Sequence, residues 1–233
     1  AADEQEVLKL GEGLGYYSRA RNLHGAAQDL GENYDGKMPE DPKELGKLKG
    51  IGPYTQGAIA SIAYHLPEPA VDGNVMRVLS RVLYIKDNIS EQKTRRKFEA
   101  IIREIISQEN PSYFNQGLME LGALVCTPTS PACLLCPVQN ECRAFEEGVA
   151  SSLPVKLKKA KQKEISYYAF IIRDQRGRIA IEQRPSQGLL ANLWQFPMIE
   201  KGPLQVTSIE AMVKEAFDLD IEIRQKHENV HHI

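Results

Sequence analysis

The sequence predicts a helical domain followed by a smaller domain that combines strands with a helix. Through residues 1–150, apolar side chains repeat at helical spacing, as they do over 91–108. After residue 164, the pattern changes to short apolar runs separated by a turn, which is typical of paired strands. A chain of 233 residues has room for one large domain or two ordinary ones.

The composition is that of a globular protein, with 42% hydrophobic and 26% charged residues. No apolar run approaches the roughly 18 residues of a membrane span, so we expect no membrane association. No secretory signal is visible, and we expect a cytoplasmic protein. The chain does not begin with Met, which suggests a fragment. The net charge of −2 gives no general indication of a polyanionic partner, so DNA binding has to depend on local features.

Apolar stripes predict helices over 16–31, 73–85, 91–108 and 111–125. Each stripe is most simply the core-facing side of a helix. Ser90 is the expected N-cap of the third helix, and Pro111 the expected first turn of the fourth. Lysines are then frequent in residues 151–164, which we interpret as a basic linker. Such a linker can also lie against a polyanion, because clustered lysines neutralise phosphates.

The second domain is assigned to residues 165–233. Two strands are expected within 164–174 and 177–184, joined by a turn. A helix over 208–217 and a strand near 219–224 should follow, which gives an α+β domain. It stops without closing signals, so we expect it to be incomplete.

Residues 48–64 contain a turn between two predicted helices. Gly50 and Gly52 flank Ile51, and Pro53 suits the first position of the second helix. Unpaired N–H groups at such a helix start can bind an anion, and glycines allow a phosphodiester to approach the backbone. An ordinary helical hairpin would use the same residues. With Lys49 before it and a helix of small residues after it, the segment resembles the helix-hairpin-helix of DNA repair glycosylases.

Asp72 lies about twenty residues further along, directly before a predicted helix that opens at Asn74. A plain helix N-cap is one interpretation. In the glycosylases that the hairpin resembles, an aspartate at this interval faces the anomeric carbon of a flipped nucleotide. Cleavage of an N-glycosidic bond builds positive charge on the sugar, which a fixed anion stabilises. Arg77, one turn into the helix, is expected on the surface, in an ion pair or in contact with a DNA phosphate.

All four cysteines, Cys126, Cys133, Cys136 and Cys142, lie within 17 residues. Two disulfides are possible, but without an export signal a metal or cluster site is favoured. Structural zinc usually has two close cysteine pairs, and this stretch has one. The spacing resembles the 4Fe–4S loop of endonuclease III and its relatives, which implies that these four residues are cluster ligands. Zinc is the alternative. We expect the cluster to hold the fold of the loop.

The order of hairpin, aspartate and cysteine loop resembles the endonuclease III superfamily. Within it, four segments look like the MutY-type adenine DNA glycosylases, which remove adenine mispaired with 8-oxoguanine: 12–24, 50–58, 70–78 and 114–126. The likeness extends to GLLANLWQFP at 188–197. It implies an α-helical helix-hairpin-helix glycosylase domain with a 4Fe–4S loop, followed by a partial α+β Nudix-like domain. The implied partner is double-stranded DNA with an adenine:8-oxoguanine mispair, bound by a monomer in the bacterial nucleoid.

The resemblance also implies roles for single residues. Tyr54 stands where bifunctional lyases carry a Schiff-base lysine, and a phenol cannot form that imine, so a monofunctional glycosylase is expected. Tyr54 should hydrogen-bond near Asp72, and Asn74 should steady that carboxylate. Gln116 should read the adenine edge, and Tyr16 should insert into the base stack beside the lesion. DNA contacts are expected from Lys49, Gly50, Ile51 and Gly52 of the hairpin, and from Arg77.

Some positions depart from the family. The glutamate that protonates adenine belongs upstream of residue 1, so we expect residues 1–233 alone to be impaired as an enzyme. The stretch 211–219 keeps only Glu215 of the carboxylates that a Nudix hydrolase uses to hold Mg²⁺, which favours a recognition domain. The alternatives are a bifunctional endonuclease III-like lyase, which Tyr54 argues against, and a non-catalytic Fe–S DNA-binding module.

Overall fold

The computed structural model describes residues 2–157, 164–201 and 208–227. The chain divides into two compact units, residues 1–159 and 160–233. This division falls inside the predicted linker, whose residues 158–163 lie outside the described part. Residues 150–157 still belong to the first unit, because the Ile89 N–H donates to the Val155 carbonyl (3.0 Å). Among the described residues, no helix has the length and apolar character needed to cross a bilayer.

The first unit is helical. Its α-helices are α1 (Glu4–Leu10), α2 (Tyr17–Asn33), α3 (Pro42–Leu45), α4 (Pro53–Ala63), α5 (Gly73–Val82), α6 (Gln92–Ile105), α7 (Pro111–Glu120) and α8 (Arg143–Glu146). A π-helical turn, Leu121–Val125, continues α7, and 3₁₀ turns occupy Cys133–Leu135, Gln139–Glu141 and Ala150–Ser152. The four helices predicted from apolar stripes are present, with ends shifted by a few residues.

The prediction of Ser90 as an N-cap is wrong. Helix α6 begins at Gln92, with Glu91 at its N-cap position. The Ser90 N–H donates instead to Oδ1 of Asn88 (3.1 Å). The Asn88 side chain thus closes a local turn with the backbone just before the helix, as asparagine side chains commonly do. The helix begins only after this turn.

Two apolar clusters form the core of this unit. In the first, α5 packs on α6 through Val75, Leu79, Phe98 and Ile102, and Val71 in the loop before α5 joins them. The second cluster joins α2, α3 and α4 through Ala26, Leu45 and Ala60, with Leu48 from the turn after α3. The loop that ends at Asp72 runs between these clusters, because Leu66 packs on the second and Val71 belongs to the first.

In its described residues, 164–201 and 208–227, the second unit contains two short antiparallel strand pairs and one helix. Strand β1 (Tyr167–Ala169) pairs with β4 (Met198–Glu200), and β2 (Glu182–Gln183) pairs with β3 (Trp194–Gln195). The predicted turn closes at Asp174, whose N–H donates to the Arg178 carbonyl (2.9 Å). The helix expected over 208–217 is α9 (Ile209–Phe217), capped by Ser208.

The strand predicted near 219–224 is wrong, because described residues 218–227 form no strand. The alternation of Leu219, Ile221 and Ile223 suggested one. Alternation alone does not make a strand, since a ladder also needs a partner backbone to accept and donate its hydrogen bonds. Leu219 is exposed, and Ile221 and Ile223 are only partly buried, so the alternation does not mark a fully buried face.

The turn between α3 and α4 depends on glycine at one position. Gly50 has φ +81°, and a Cβ there would lie 2.5 Å from Cβ of Asn22 on α2. Gly52 has extended φ and ψ, and a Cβ there would meet nothing within 4 Å. The two glycines of the motif therefore have different structural requirements.

We expect Gly50→Ala to lower the free energy of unfolding by at least about 1–2 kcal/mol, the cost of a left-handed conformation for an L-residue. Gly52→Ala is the matched control, and it should change stability by less than about 1 kcal/mol. Denaturant midpoints measured on both variants test this. Equal losses would contradict the steric role assigned to Gly50.

Candidate functional site

The hairpin turn presents its backbone at the surface. Lys49, Gly50 and Gly52 are exposed, and the Ile51 N–H donates to the Leu48 carbonyl (3.1 Å). Gly52 is the N-cap of α4, and its carbonyl accepts from the Gln56 N–H (2.9 Å). The Ile51 side chain packs against the second core cluster instead of facing outward. Three of the four predicted hairpin contacts are thus exposed, and Ile51 anchors the turn.

Asp72 is the N-cap of α5 and is partly exposed. Its Oδ1 accepts from the Val75 N–H (2.8 Å), and its Oδ2 accepts from Nδ2 of Asn74 (3.1 Å). Both carboxylate oxygens are therefore oriented by donors from the first turn of the helix. A helix N-terminus also attracts negative charge. The geometry gives an oriented, partly exposed anion at the start of α5.

Arg77 is buried, so the prediction that it lies on the surface is wrong. Its side chain is 8% exposed and points into the protein. Its guanidinium donates to the carbonyls of Cys126 and Gly122 and to Oδ1 of Asn74, each at 2.7 Å. Burial lowers the pKa of Arg77, and the charge of nearby Arg81 lowers it further. Arg77 therefore joins the start of the cysteine loop to the residue that donates to Asp72.

Arg81 lies one turn further along α5 and is 1% exposed. Its guanidinium donates to the carbonyls of Leu153 (2.9 Å), Thr127 (2.8 Å) and Pro128 (3.1 Å). Its Nη1 also lies 3.2 Å from Sγ of Cys126. A buried cation needs such partners to offset the loss of hydration. Arg81 therefore fastens the cysteine loop and the segment after α8 to α5.

The four cysteines line one cavity beside α5, together with Val78, Arg81 and apolar side chains. All four are free thiols and partly buried, so the disulfide interpretation does not describe this structure. Burial raises the pKa of Cys133, and the neighbouring sulfurs of Cys142 and Cys126 raise it further. Within the described residues, no set of three or more His, Cys, Asp or Glu is arranged to hold a single metal ion. Four thiols converging on one cavity nevertheless fit the donor set of an iron–sulfur cluster.

The remaining predicted side chains have the following positions. The Tyr54 hydroxyl donates to Sδ of Met119 on α7 (3.6 Å). Nε2 of Gln116 donates to Oγ of Ser112 (2.9 Å), one turn back on the same helix. Tyr16 is the N-cap of α2 with φ +52°, and its side chain is 79% exposed. Tyr16 is therefore an exposed aromatic, and Tyr17 is half-buried.

Sequence reasoning missed Asn115 and the buried roles of Arg77 and Arg81. Asn115 is 1% exposed and bonds to Ser61 and to the loop before Asp72. The four-residue spacing of Arg77 and Arg81 indicated a shared helix face. Their partner carbonyls lie more than 40 residues away in sequence, so no local pattern revealed them.

Residues 1–104 match the family described as HhH-GPD superfamily base excision DNA repair protein, and residues 168–233 match the NUDIX domain. The chain is 39% identical to the adenine DNA glycosylase of Arabidopsis thaliana, over 96% of this chain and 38% of that protein. It is 34% identical to the adenine DNA glycosylase of Buchnera aphidicola subsp. Schizaphis graminum, over 97% of this chain and 62% of that protein. The chain thus spans between about a third and two thirds of the length of these relatives.

Solved structures resemble the fold as well. A thermostable thymine-DNA glycosylase superimposes with a TM-score of 0.57 and 26% identity, covering 63% of this chain and 67% of that one. Endonuclease III in a non-covalent complex with DNA gives a TM-score of 0.54 and 28% identity, with the same coverage of both chains.

Arg81→Met should unfold more readily, because it leaves the buried carbonyl of Leu153 and the carbonyls of Thr127 and Pro128 without their guanidinium donor. We expect a loss of at least about 2 kcal/mol in the free energy of unfolding. Arg96→Met removes the same charge from an exposed position on α6 and should cost less than about 0.5 kcal/mol. Urea unfolding of both variants measures the difference. Similar stabilities would show that the Arg81 bonds contribute little.

Proposed function

We propose that the chain belongs to the HhH-GPD superfamily of base excision DNA repair proteins, which its residues 1–104 match. Because it is also similar to adenine DNA glycosylases, we propose that the protein hydrolyses the N-glycosidic bond of adenine mispaired with 8-oxoguanine or guanine. The observation that carries this proposal is Asp72. It is a partly exposed carboxylate with both oxygens oriented, at the start of the helix that follows the hairpin and its connecting loop. Relatives named adenine DNA glycosylase supply the choice of base.

Asp72 would act on the sugar of the flipped nucleotide. As the glycosidic bond breaks, positive charge develops on the sugar, and an anion already fixed in place stabilises it without reorganisation. The Asn74 amide and the Val75 N–H hold the carboxylate in one orientation. The same two donors leave part of the carboxylate accessible to a substrate.

Adenine must also be protonated before it can leave. The family places that general acid upstream of the region that aligns with residue 1, and general acids contribute about 10²–10⁴-fold. Excision is therefore best measured on protein expressed from the whole open reading frame.

DNA would be held mainly through its backbone. The backbone N–H groups of the exposed residues Gly50 and Gly52 and the ammonium of Lys49 suit phosphate oxygens, because all three are hydrogen-bond donors. The exposed Tyr16 ring suits insertion beside an extruded base. Binding through phosphates should weaken steeply with salt.

The product would be an intact abasic site. The bifunctional alternative needs an amine to form a Schiff base with the sugar, and Tyr54 offers a phenol. In this structure the hydroxyl is engaged with Sδ of Met119. Strand cleavage should therefore depend on added alkali.

We infer that the four cysteines hold a 4Fe–4S cluster. They are free, line one cavity and offer the thiolates that such clusters use. Cys126, Cys133, Cys136 and Cys142 would each supply one thiolate to the cluster, which would be held in the cavity that they line. When bound, the cluster would cross-link the loop, and Arg81 would remain beside the Cys126 sulfur.

The second unit would serve in recognition and not in hydrolysis. Glu215 on α9 is exposed, and the other box positions between 211 and 219 lack the expected carboxylates. One carboxylate does not make the oxygen-rich site that Mg²⁺ requires on an enzyme of this class.

Asp72→Asn in the whole-frame protein should abolish adenine excision, because the neutral amide cannot stabilise the sugar cation, while DNA affinity stays within about threefold. Asp41→Asn makes the same chemical change at the N-cap of α3, whose Oδ1 accepts from the Lys43 N–H (2.8 Å), and should leave excision unchanged. Single-turnover assays on adenine:8-oxoguanine duplexes, with and without alkali, measure both. Activity in Asp72→Asn, or strand cleavage without alkali, would overturn this mechanism.

Anaerobically purified protein should be brown and contain about four irons per chain. Cys136→Ser should lose iron and destabilise residues 126–142, since one ligand is removed. Ser130→Ala, in the same loop, should keep its iron. Metal analysis by mass spectrometry gives the count. Stoichiometric zinc in a colourless protein would contradict the cluster.

A further inference from the structure

We propose that Asn115 is a positioning residue that fixes Asp72 relative to the base-reading helix α7. This inference rests on the proposed function, since it concerns the placement of the carboxylate that acts in that reaction. Asn115 immediately precedes Gln116 on α7, and it contacts the backbone of the loop that leads to Asp72. It touches neither the substrate nor the reacting atoms, so it acts through the loop.

Asn115 makes three hydrogen bonds inside the protein, and its side chain is 1% exposed. Its Nδ2 donates to Oγ of Ser61 on α4 (2.8 Å) and to the carbonyl of Glu68 (2.9 Å). Its Oδ1 accepts from the Ala70 N–H (3.4 Å). The Asn115 side-chain amide therefore bonds to one carbonyl and one N–H group of the loop backbone, and to a side chain on α4, the second helix of the hairpin.

Helix α4 holds the same loop from its other side. A Cβ at Gly57 would lie 1.8 Å from the Pro69 carbonyl oxygen, so the loop backbone rests directly on the helix. Oγ of Ser61 donates to the Gly57 carbonyl (2.8 Å), which orients the Ser61 oxygen as the acceptor for Asn115. We call Ser61, Asn115 and the backbone of residues 68–70 the loop latch.

The latch lies two residues before Asp72. A shift of the Ala70 peptide therefore moves the carboxylate, since only Val71 separates them and Val71 is buried in the first core cluster. Gln116 follows Asn115 directly, so the latch sets the distance between the side chain expected to read the base and the anion expected to face the sugar. Misplacement by about 1 Å can cost about 10²-fold in rate.

A purely stabilising role would not require this chemistry. An apolar residue at position 115 could fill the volume, but it would leave the Glu68 carbonyl and Ala70 N–H without the partners that define the loop position. Satisfied buried polar networks specify one geometry. Glu68 is also held from outside by the exposed ion pair of Arg103 (2.7 Å), which offers a separate test of loop attachment.

The test compares Asn115→Ser and Ser61→Ala with Leu8→Ala, in protein from the whole open reading frame. Leu8 is 3% exposed on α1 and outside both core clusters, so its variant loses stability without touching the latch. Melting temperatures identify conditions in which all variants are folded. Ser61→Ala retains the Asn115 side chain and serves if Asn115→Ser does not fold.

We expect the latch variants to lose about 10–100-fold in the single-turnover rate constant, with DNA dissociation constants within about threefold of the parent. Leu8→Ala should keep the parental rate at the same temperature. Arg103→Met leaves all three Asn115 hydrogen bonds in place and should keep the parental rate. An active parent whose latch variants keep the parental rate, or lose it only in proportion to stability, would refute the proposal.

Hydrogen exchange supplies a readout that does not need activity. Amides of residues 66–72 should exchange at least about tenfold faster in the latch variants than in Leu8→Ala. Asn115→Ser removes the acceptor of the Ala70 N–H, and Ser61→Ala removes the hydrogen bond that orients this acceptor. Unchanged exchange in this segment would also refute the latch. A parent that excises no adenine, while exchange rises as expected, would count against the proposed function and leave the latch standing.

Discussion

The pairing of two buried guanidinium groups with backbone carbonyls is the interaction on which the rest of the site depends. Arg77 and Arg81 project from one face of α5 and bond to carbonyls between Gly122 and Leu153. A charge taken out of water is costly unless donors and acceptors match, and here the acceptors are the carbonyls of an irregular loop. The loop supplies acceptors that its own backbone does not use, and the arginines give it a fixed position against the helix.

Helix α5 therefore joins both chemically distinct parts of the first unit. Asp72 caps its N-terminus, while Arg81 at its other end lies against the Cys126 sulfur. Between them, Arg77 donates to Asn74, which in turn donates to Asp72. The N-cap and catalytic interpretations of Asp72 are compatible, because the donors that satisfy a helix N-terminus also orient the carboxylate.

The sequence predicted most of what depends on local pattern. Apolar periodicity located α2, α5, α6 and α7, and glycine spacing located the hairpin turn. The errors have a common cause, since each depends on a partner that is distant in sequence or on competing local hydrogen bonds. Arg77 resembled a surface cation because its carbonyl partners come from residues 122–126. Residues 219–224 alternate as strands do, yet form none in the described structure.

The backbone of neighbouring elements approaches closely on both sides of Asp72. Gly57 allows α4 to touch the Pro69 carbonyl before it, and Gly122 allows the π turn to approach Asn74 after it, where a Cβ would lie 2.7 Å from that of Asn74. Neither glycine has a left-handed φ, so the constraint is the space that a side chain would occupy. Because interiors are close-packed, such contacts transmit displacement instead of absorbing it. The orientation of the Asp72 carboxylate thus depends on steric contacts from α4 and the π turn, and on hydrogen bonds from α4, α5 and α7. A chemically competent residue at position 72 would be insufficient without the small residues that let its neighbours approach.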